Sequence, residues 1–172
     1  MKMNRFTVSR LARHFGFGLA ILCAASAGAF AQGLPQEEHG FVTRFGVLTV
    51  DEVKVLQFNG RPLEPVITGN NSLSLGEPMR VGATDIVLVT DNGGTACPCL
   101  YYFVTVSKSG AKATPSFGTC GEITDVKTVG RSISVVMPGY LGPFEPAKER
   151  RAAQRQRHVF IFRDGVVKER PK

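Results

Sequence analysis

The run Leu100-Tyr101-Tyr102-Phe103-Val104-Thr105-Val106-Ser107 carries apolar side chains in both of its alternating registers. Successive side chains of an extended chain point to opposite faces. Leu100, Tyr102, Val104 and Val106 therefore share one face, and Tyr101, Phe103 and Thr105 the other. Both faces are largely apolar, which reads as a central strand rather than a half-solvated one. Working outward, the neighbouring apolar runs are equally short. They predict strands at 41–49, 53–58, 62–67, 79–90, 123–129, 132–137, 158–163 and 166–169 beside the one at 100–107. Between them stand Asn59-Gly60, Gly69-Asn70-Asn71, Asp91-Asn92-Gly93-Gly94, Ser109-Gly110, Gly130-Arg131 and Asp164-Gly165. Asn-Gly and Asp-Gly favour tight hairpin turns because these residues tolerate positive φ. Short strands at this spacing, with almost no helical periodicity, predict a mainly β fold: an antiparallel meander forming a small barrel or sandwich.

One short basic helix is expected near the C-terminus. Pro146 suits a helix start, and residues 147–157 are strong helix formers, so 146–157 reads as a basic helical or flexible connection. Its apolar content is limited to Ala147, Ala152 and Ala153.

The 172 residues hold 43% hydrophobic and 20% charged side chains. That is too apolar for a disordered chain, and the length accommodates one domain. Collagen-like, coiled-coil and multi-span membrane classes are excluded by the absence of fitting repeats, heptads or long apolar stretches. Residues 1–18 carry Lys2, Arg5, Arg10 and Arg13 without an acid, and an apolar run from Leu19 to Phe30 ends in Ala29-Phe30-Ala31. This is the pattern of a cleavable export signal with cleavage after Ala31. The apolar run is short for a membrane span, which wants about 20 residues. Bulky Leu22 before Cys23 argues against a lipid-modified cysteine. The expected organisation is a signal peptide at 1–31, a flexible segment at 32–40 and a single β-rich domain at 41–172. The mature protein is expected to be periplasmic or secreted, and not transmembrane.

This division also relocates the charge. The net charge of +7 falls to +3 without the four cations of the leader. Residues 144–172 alone carry +5, leaving the body at −2. The basic end, with Arg150, Arg151, Arg155 and Arg157, reads as a solvated connection or as a contact surface for an acidic partner or anionic envelope lipid. Nucleic acid is not expected as a partner, since no basic face with interleaved aromatics appears.

Maturation leaves Cys97, Cys99 and Cys120. An oxidising compartment favours pairing, and an odd count needs an explanation. A bond between Cys97 and Cys99 would close a strained ring stiffened by Pro98. The bridge therefore runs to Cys120, from Cys97 as first choice or from Cys99 as second. It closes a loop of about 24 residues and contributes ~3 kcal/mol in the chain-entropy model. The remaining thiol reads as a buried small residue, an intermolecular or redox group, or part of a soft-metal set of Cys97, Cys99 and Cys120.

G-G-T-A-C-P at 93–98, followed by Tyr101, Tyr102 and Phe103, and then T-P-S-F-G-T-C at 114–120, resembles small, mostly uncharacterised exported β proteins of Gram-negative bacteria. F-N-G-R-P-L-E-P at 58–65 and G-N-N-S-L-S-L at 69–75 fit the same pattern. The resemblance implies an envelope-facing β fold with one cysteine in each of two motifs, here Cys97 and Cys120. Cys99 departs from the pattern, and the departure leaves it as the free or reactive thiol. The resemblance implies no catalytic residue.

No nucleophile elbow, phosphate loop or His-Glu-x-x-His motif is present. His39 and His158 read as surface or strand-end residues. Asp85, Asp91, Glu122 and Asp125 have no spacing that demands a catalytic pair, and Asn70-Asn71-Ser72 reads as a turn. No catalytic residue, metal or cofactor is called for. The expected function is non-enzymatic binding of an unknown protein or envelope component. Asn92 with the 91–96 turn, Tyr101, Tyr102 and Phe103 form the first surface to consider, unless the aromatics are core. A thiol or soft-metal protein and a hydrolase without a recognisable motif are the alternatives.

Overall fold

The computed structural model describes residues 40–171. The expected leader, most of the 32–40 segment and His39 lie outside the described residues. Strands β1 (Phe41–Thr43), β2 (Gly46–Val50), β3 (Leu56–Phe58) and β4 (Arg61–Pro62) form a first antiparallel sheet in that order. The middle sheet runs β5 (Ser72–Leu75), β7 (Thr84–Asn92), β8 (Cys99–Ser107) and β9 (Gly110–Ala113), with β6 (Met79–Val81) also paired to β7. The third sheet joins β10 (Asp125–Val129), β11 (Ser132–Pro138), β12 (Arg157–Arg163) and β13 (Val166–Glu169), with α1 (Ala147–Gln154) between β11 and β12. The mainly β, antiparallel class with one short helix is as expected.

The two apolar faces of 100–107 explain how the sheets stack. Tyr101 and Phe103 enter one buried cluster, together with Ile86 of β7 and with Ile133, Val135, Met137, Phe160 and Phe162 of the third sheet. Val104 and Val106 enter another, with Val87 and Val89 of β7 and with Leu48, Leu56, Leu63 and Ile67 of the first sheet and its following loop. The middle sheet is thus covered on both faces, and β7 and β8 read as near-continuous apolar strands for that reason. Fully burying each such aliphatic or aromatic side chain contributes about 1.5–3 kcal/mol. Rings hold the interface with the third sheet together: Phe103 lies 4.7 Å from Phe162 and 5.3 Å from Phe117, and Phe117 lies 5.4 Å from Phe160.

Several expected strand boundaries are corrected. The 41–49 run is a hairpin turning at Arg44-Phe45, where the Thr43 hydroxyl accepts from the Phe45 N–H and donates to the Gly46 carbonyl. The 53–58 run begins only at Leu56, because the Asp51 carboxylate accepts from the Val53 and Val55 N–H groups and folds them into a turn. The 62–67 run ends as a strand at Pro62, since Pro62 and Pro65 have no N–H for a ladder. The 79–90 run is the β6–β7 hairpin, turning at Gly82 with φ +58°. Ser72–Leu75 pairs with β7, and the turn signal Ser109-Gly110 closes the β8–β9 hairpin. The turn expected at 91–94 lies at 93–98, closed by a Gly93 N–H to Pro98 carbonyl bond of 2.7 Å. A Cβ at Gly93 would collide with the Cys97 carbonyl, so this position requires glycine.

Candidate functional site

The cysteines meet at the start of β8. Cys97 and Cys120 form a disulfide with their Cα atoms 4.8 Å apart, and Cys99 is a free, buried thiol. The 114–120 motif builds this corner. The backbones of Tyr101 and Phe117 exchange hydrogen bonds of 2.9 and 2.8 Å, so the segment continues the sheet edge beyond β9. Gly118, at φ +129°, lies against the Tyr101 ring, and Cys120 turns back at φ +66° to meet Cys97. The Cys99 Sγ is 5% exposed as a residue and sits 3.4 Å from the Gly121 carbonyl and 3.6 Å from that of Cys120. The Tyr101 hydroxyl is 3.0 Å from that sulfur and 3.3 Å from the Gly121 carbonyl, and it accepts from the Ile123 N–H at 3.3 Å. Burial first, and then the adjoining Cys99, hold the Tyr101 hydroxyl well above its usual pKa of 10.0.

This arrangement gives Cys99 a closed polar environment. Two of the three sulfurs are consumed in the bridge, so the oxidised protein has no three-thiolate set. Among the described residues no group of three or more His, Cys, Asp and Glu side chains is placed to hold a metal ion.

The aromatic surface expected from the sequence is corrected. Tyr101 and Phe103 are 4% and 0% exposed, because the strand's alternation turns both toward the third sheet. Tyr102 is half-buried against the other cluster, where burial and then the Asp91 carboxylate raise its pKa. Asn92 is also used within the fold: its Nδ2 donates to the Ser72 and Ser74 hydroxyls at 2.9 and 2.8 Å. The carboxylates do not converge. Asp85 pairs with Arg44, Asp91 accepts from the Asn70 N–H, and Asp125 pairs with Lys127. His158 pairs with Glu169 across β12 and β13 at 2.7 Å.

The basic end is different. Pro146 precedes the helix with φ −54°, and Ala153 is the buried residue of α1, its carbonyl accepting from the Gly139 N–H. At about 3.6 residues per turn, Lys148, Arg151 and Arg155 fall on the side opposite Ala153. All three are exposed, as is Arg157 just beyond. Ion pairs within 4 Å involve none of them among the described residues. Arg150 lies on the flank of α1, half-buried, and its Nε has no hydrogen-bond partner among the described residues. Residues 139–146 lead into the helix. Tyr140 anchors this loop through its hydroxyl to the Thr95 carbonyl at 2.8 Å, while Phe144 is 95% exposed and Leu141 38%. Sequence reasoning missed Phe144. A lone aromatic between Gly142-Pro143 and Glu145-Pro146, in a segment that proline keeps out of regular ladders, was the available signal.

The chain matches no protein-family model, no curated protein and no solved structure. Among the described residues, no helix is long and apolar enough to cross a membrane.

Proposed function

We propose that the chain is an exported, non-enzymatic β domain that binds a negatively charged envelope surface through α1 and the loop before it. The observation that carries this reading is the exposed stripe of Lys148, Arg151 and Arg155, which enters no ion pair among the described residues, together with Phe144 in the preceding loop, which is 95% exposed. Neither feature serves the fold. Like charges at i, i+4, such as Arg151 and Arg155, cost a helix about 0.2–0.5 kcal/mol. An exposed phenylalanine forgoes about 1.5–3 kcal/mol of burial. Against anionic lipid the balance reverses, since each cation near the surface contributes about 1 kcal/mol and the ring enters the headgroup–acyl boundary. Export is supported by the leader-like 1–31 sequence and by the Cys97–Cys120 bridge, which suits an oxidising compartment. The resemblance of the 93–98 and 114–120 motifs to exported envelope proteins points the same way.

Sedimentation with phosphatidylglycerol-containing vesicles tests the reading. Binding should weaken with salt, as expected for charges screened over about 10 Å at 0.1 M. It should fall at least tenfold in Arg151→Glu/Arg155→Glu and severalfold in Phe144→Ala, with the unfolding midpoint unchanged. Equal retention on phosphatidylcholine vesicles, or no loss in the charge-reversed variant, would refute it.

A further inference from the structure

The inward row of β8 changes character along the strand. Cys99, Tyr101 and Phe103 are buried on the face toward the third sheet, but the next positions on that face are Thr105 and Ser107, both half-buried. The register spreads the change sideways: Thr105 lies opposite Ile86 on β7 and opposite Lys112 on β9. Two small hydroxyl residues and a lysine replace the rings that close the interface further along. The two sheets leave a cavity of about 530 Å³ here, between the ends of the β6–β7, β8–β9, β10–β11 and β12–β13 hairpins.

Its lining is sorted by chemistry. Ile86 and Phe162, 1% and 2% exposed, form an apolar wall. Lys112 comes from the middle sheet and Arg131 from the third, so two cations on different sheets line one opening. Lys112 has no carboxylate within 4 Å among the described residues, and Arg131 has one contact, of 3.3 Å, to Asp164. The opening therefore carries one net positive charge, and Thr105 stands between Lys112 and Ile86 in the register of the sheet. The volume lies in the range of about 300–1,000 Å³ usual for small-molecule sites, which combine apolar walls with a few convergent polar groups.

We infer that this cavity binds a small amphipathic acid, with an apolar body against Ile86 and Phe162 and one anionic head between Lys112 and Arg131. A neutral analogue would leave Lys112 without a charged partner, whereas an acid head gains charge-assisted hydrogen bonds from Lys112 and Arg131. The site is separate from α1, so it goes beyond the surface binding proposed above and does not depend on it. Lys112 has a competing explanation, because an inward-pointing charge on an edge strand such as β9 blocks edge-to-edge pairing.

Titration calorimetry with octanoate and 1-octanol on the full chain, followed by amide chemical shifts, separates these cases. Saturable binding of one octanoate per chain is expected, at least tenfold tighter than 1-octanol, with shifts centred on Thr105, Lys112 and Gly165. Lys112→Gln and Arg131→Gln should each weaken octanoate at least fivefold without altering the unfolding midpoint. Arg151→Glu/Arg155→Glu should leave it unchanged. Absence of saturable binding, equal affinity for the alcohol, or loss of binding in the α1 variant would overturn the inference. So would a Lys112→Gln protein that self-associates while binding octanoate normally, since the lysine would then serve the edge alone.

Discussion

Removing Arg44 should destabilise the protein more than removing Asp85, although Asp85 is the more buried of the two. Asp85 is 2% exposed, and its Oδ1 lies 2.7 Å from Arg44 Nε while its Oδ2 accepts the Arg44 backbone N–H at 2.7 Å. Arg44 Nη2 also donates to the Thr84 carbonyl at 2.8 Å. The clamp fixes the β1–β2 turn of the first sheet to β7 of the middle sheet. In Arg44→Met the carboxylate stays buried with only the backbone N–H as partner. Breaking one side of a buried pair costs about 3–5 kcal/mol. The Arg44 side chain is 36% exposed, so water already screens part of the attraction and about 2–3 kcal/mol is the appropriate scale. Loss of the Arg44 contact with the Phe45 ring, 5.2 Å from the guanidinium carbon, adds about 0.5 kcal/mol. In Asp85→Ala the charge disappears, the guanidinium turns to water, and one partly buried N–H loses its acceptor, a cost of about 1–2 kcal/mol.

Urea unfolding of both single variants and the double variant measures this directly. The double variant should lie within about 0.5 kcal/mol of Asp85→Ala, giving a coupling energy of about 2–3 kcal/mol between the two sites. Equal m-values are required for the comparison, since a changed slope signals a changed denatured state. If Asp85→Ala proves the more damaging, or if both singles cost under about 0.5 kcal/mol, the clamp does not hold the sheets together and the reasoning fails.

Three further predictions concern the cysteine corner. Cys97→Ala/Cys120→Ala opens a loop whose ends are 23 residues apart and should lower stability by about 3 kcal/mol, as read from the shift in urea midpoint. In the protein without residues 1–31, Cys99 should resist iodoacetamide, and unfolding without reductant should expose one alkylatable thiol by mass; rapid native labelling would contradict its burial. Tyr101, with its folded pKa raised above the ordinary value of 10.0, contributes stability that is fully present below about pH 10 and is lost as pH rises toward the folded value. Stability should therefore fall above pH 10, and Tyr101→Phe should flatten that fall more than Tyr102→Phe; identical slopes in all three proteins would count against it.

The sequence of 100–107 made its double burial legible because alternation exposes both faces of a strand at once. It did not reveal which sheets would cover those faces, since Leu48 and Phe162 lie far away along the chain and no local pattern pairs them with β8. Hairpins were legible where Asn-Gly or Asp-Gly marked them: Asn59-Gly60 and Asp164-Gly165 both adopt positive φ at both residues. The Arg44-Phe45 turn escaped notice because the Thr43 hydroxyl and a carboxylate 41 residues away shape it. The same alternation placed Tyr101 and Phe103 inside, while their clustering beside a turn suggested a surface. Periodicity was the better guide, because it follows from backbone geometry and clustering does not.

Double coverage of the middle sheet also settles where recognition chemistry is able to sit. Neither face of β7 or β8 is left for a partner, so accessible side chains of mixed character gather at the strand ends. At one end the disulfide fixes the 93–98 turn, and Tyr140 ties the loop carrying Phe144 to the same turn. The other end of β8 opens into the cavity beneath Ser107. At about 3.3 Å per residue, the eight steps from Cys99 to Ser107 separate these ends by about 26 Å. That exceeds the range over which neighbouring substitutions normally couple, about 7–10 Å. The surface binding proposed for α1 and the acid binding inferred for the cavity are therefore energetically separable, and a variant that disables one should report on it alone.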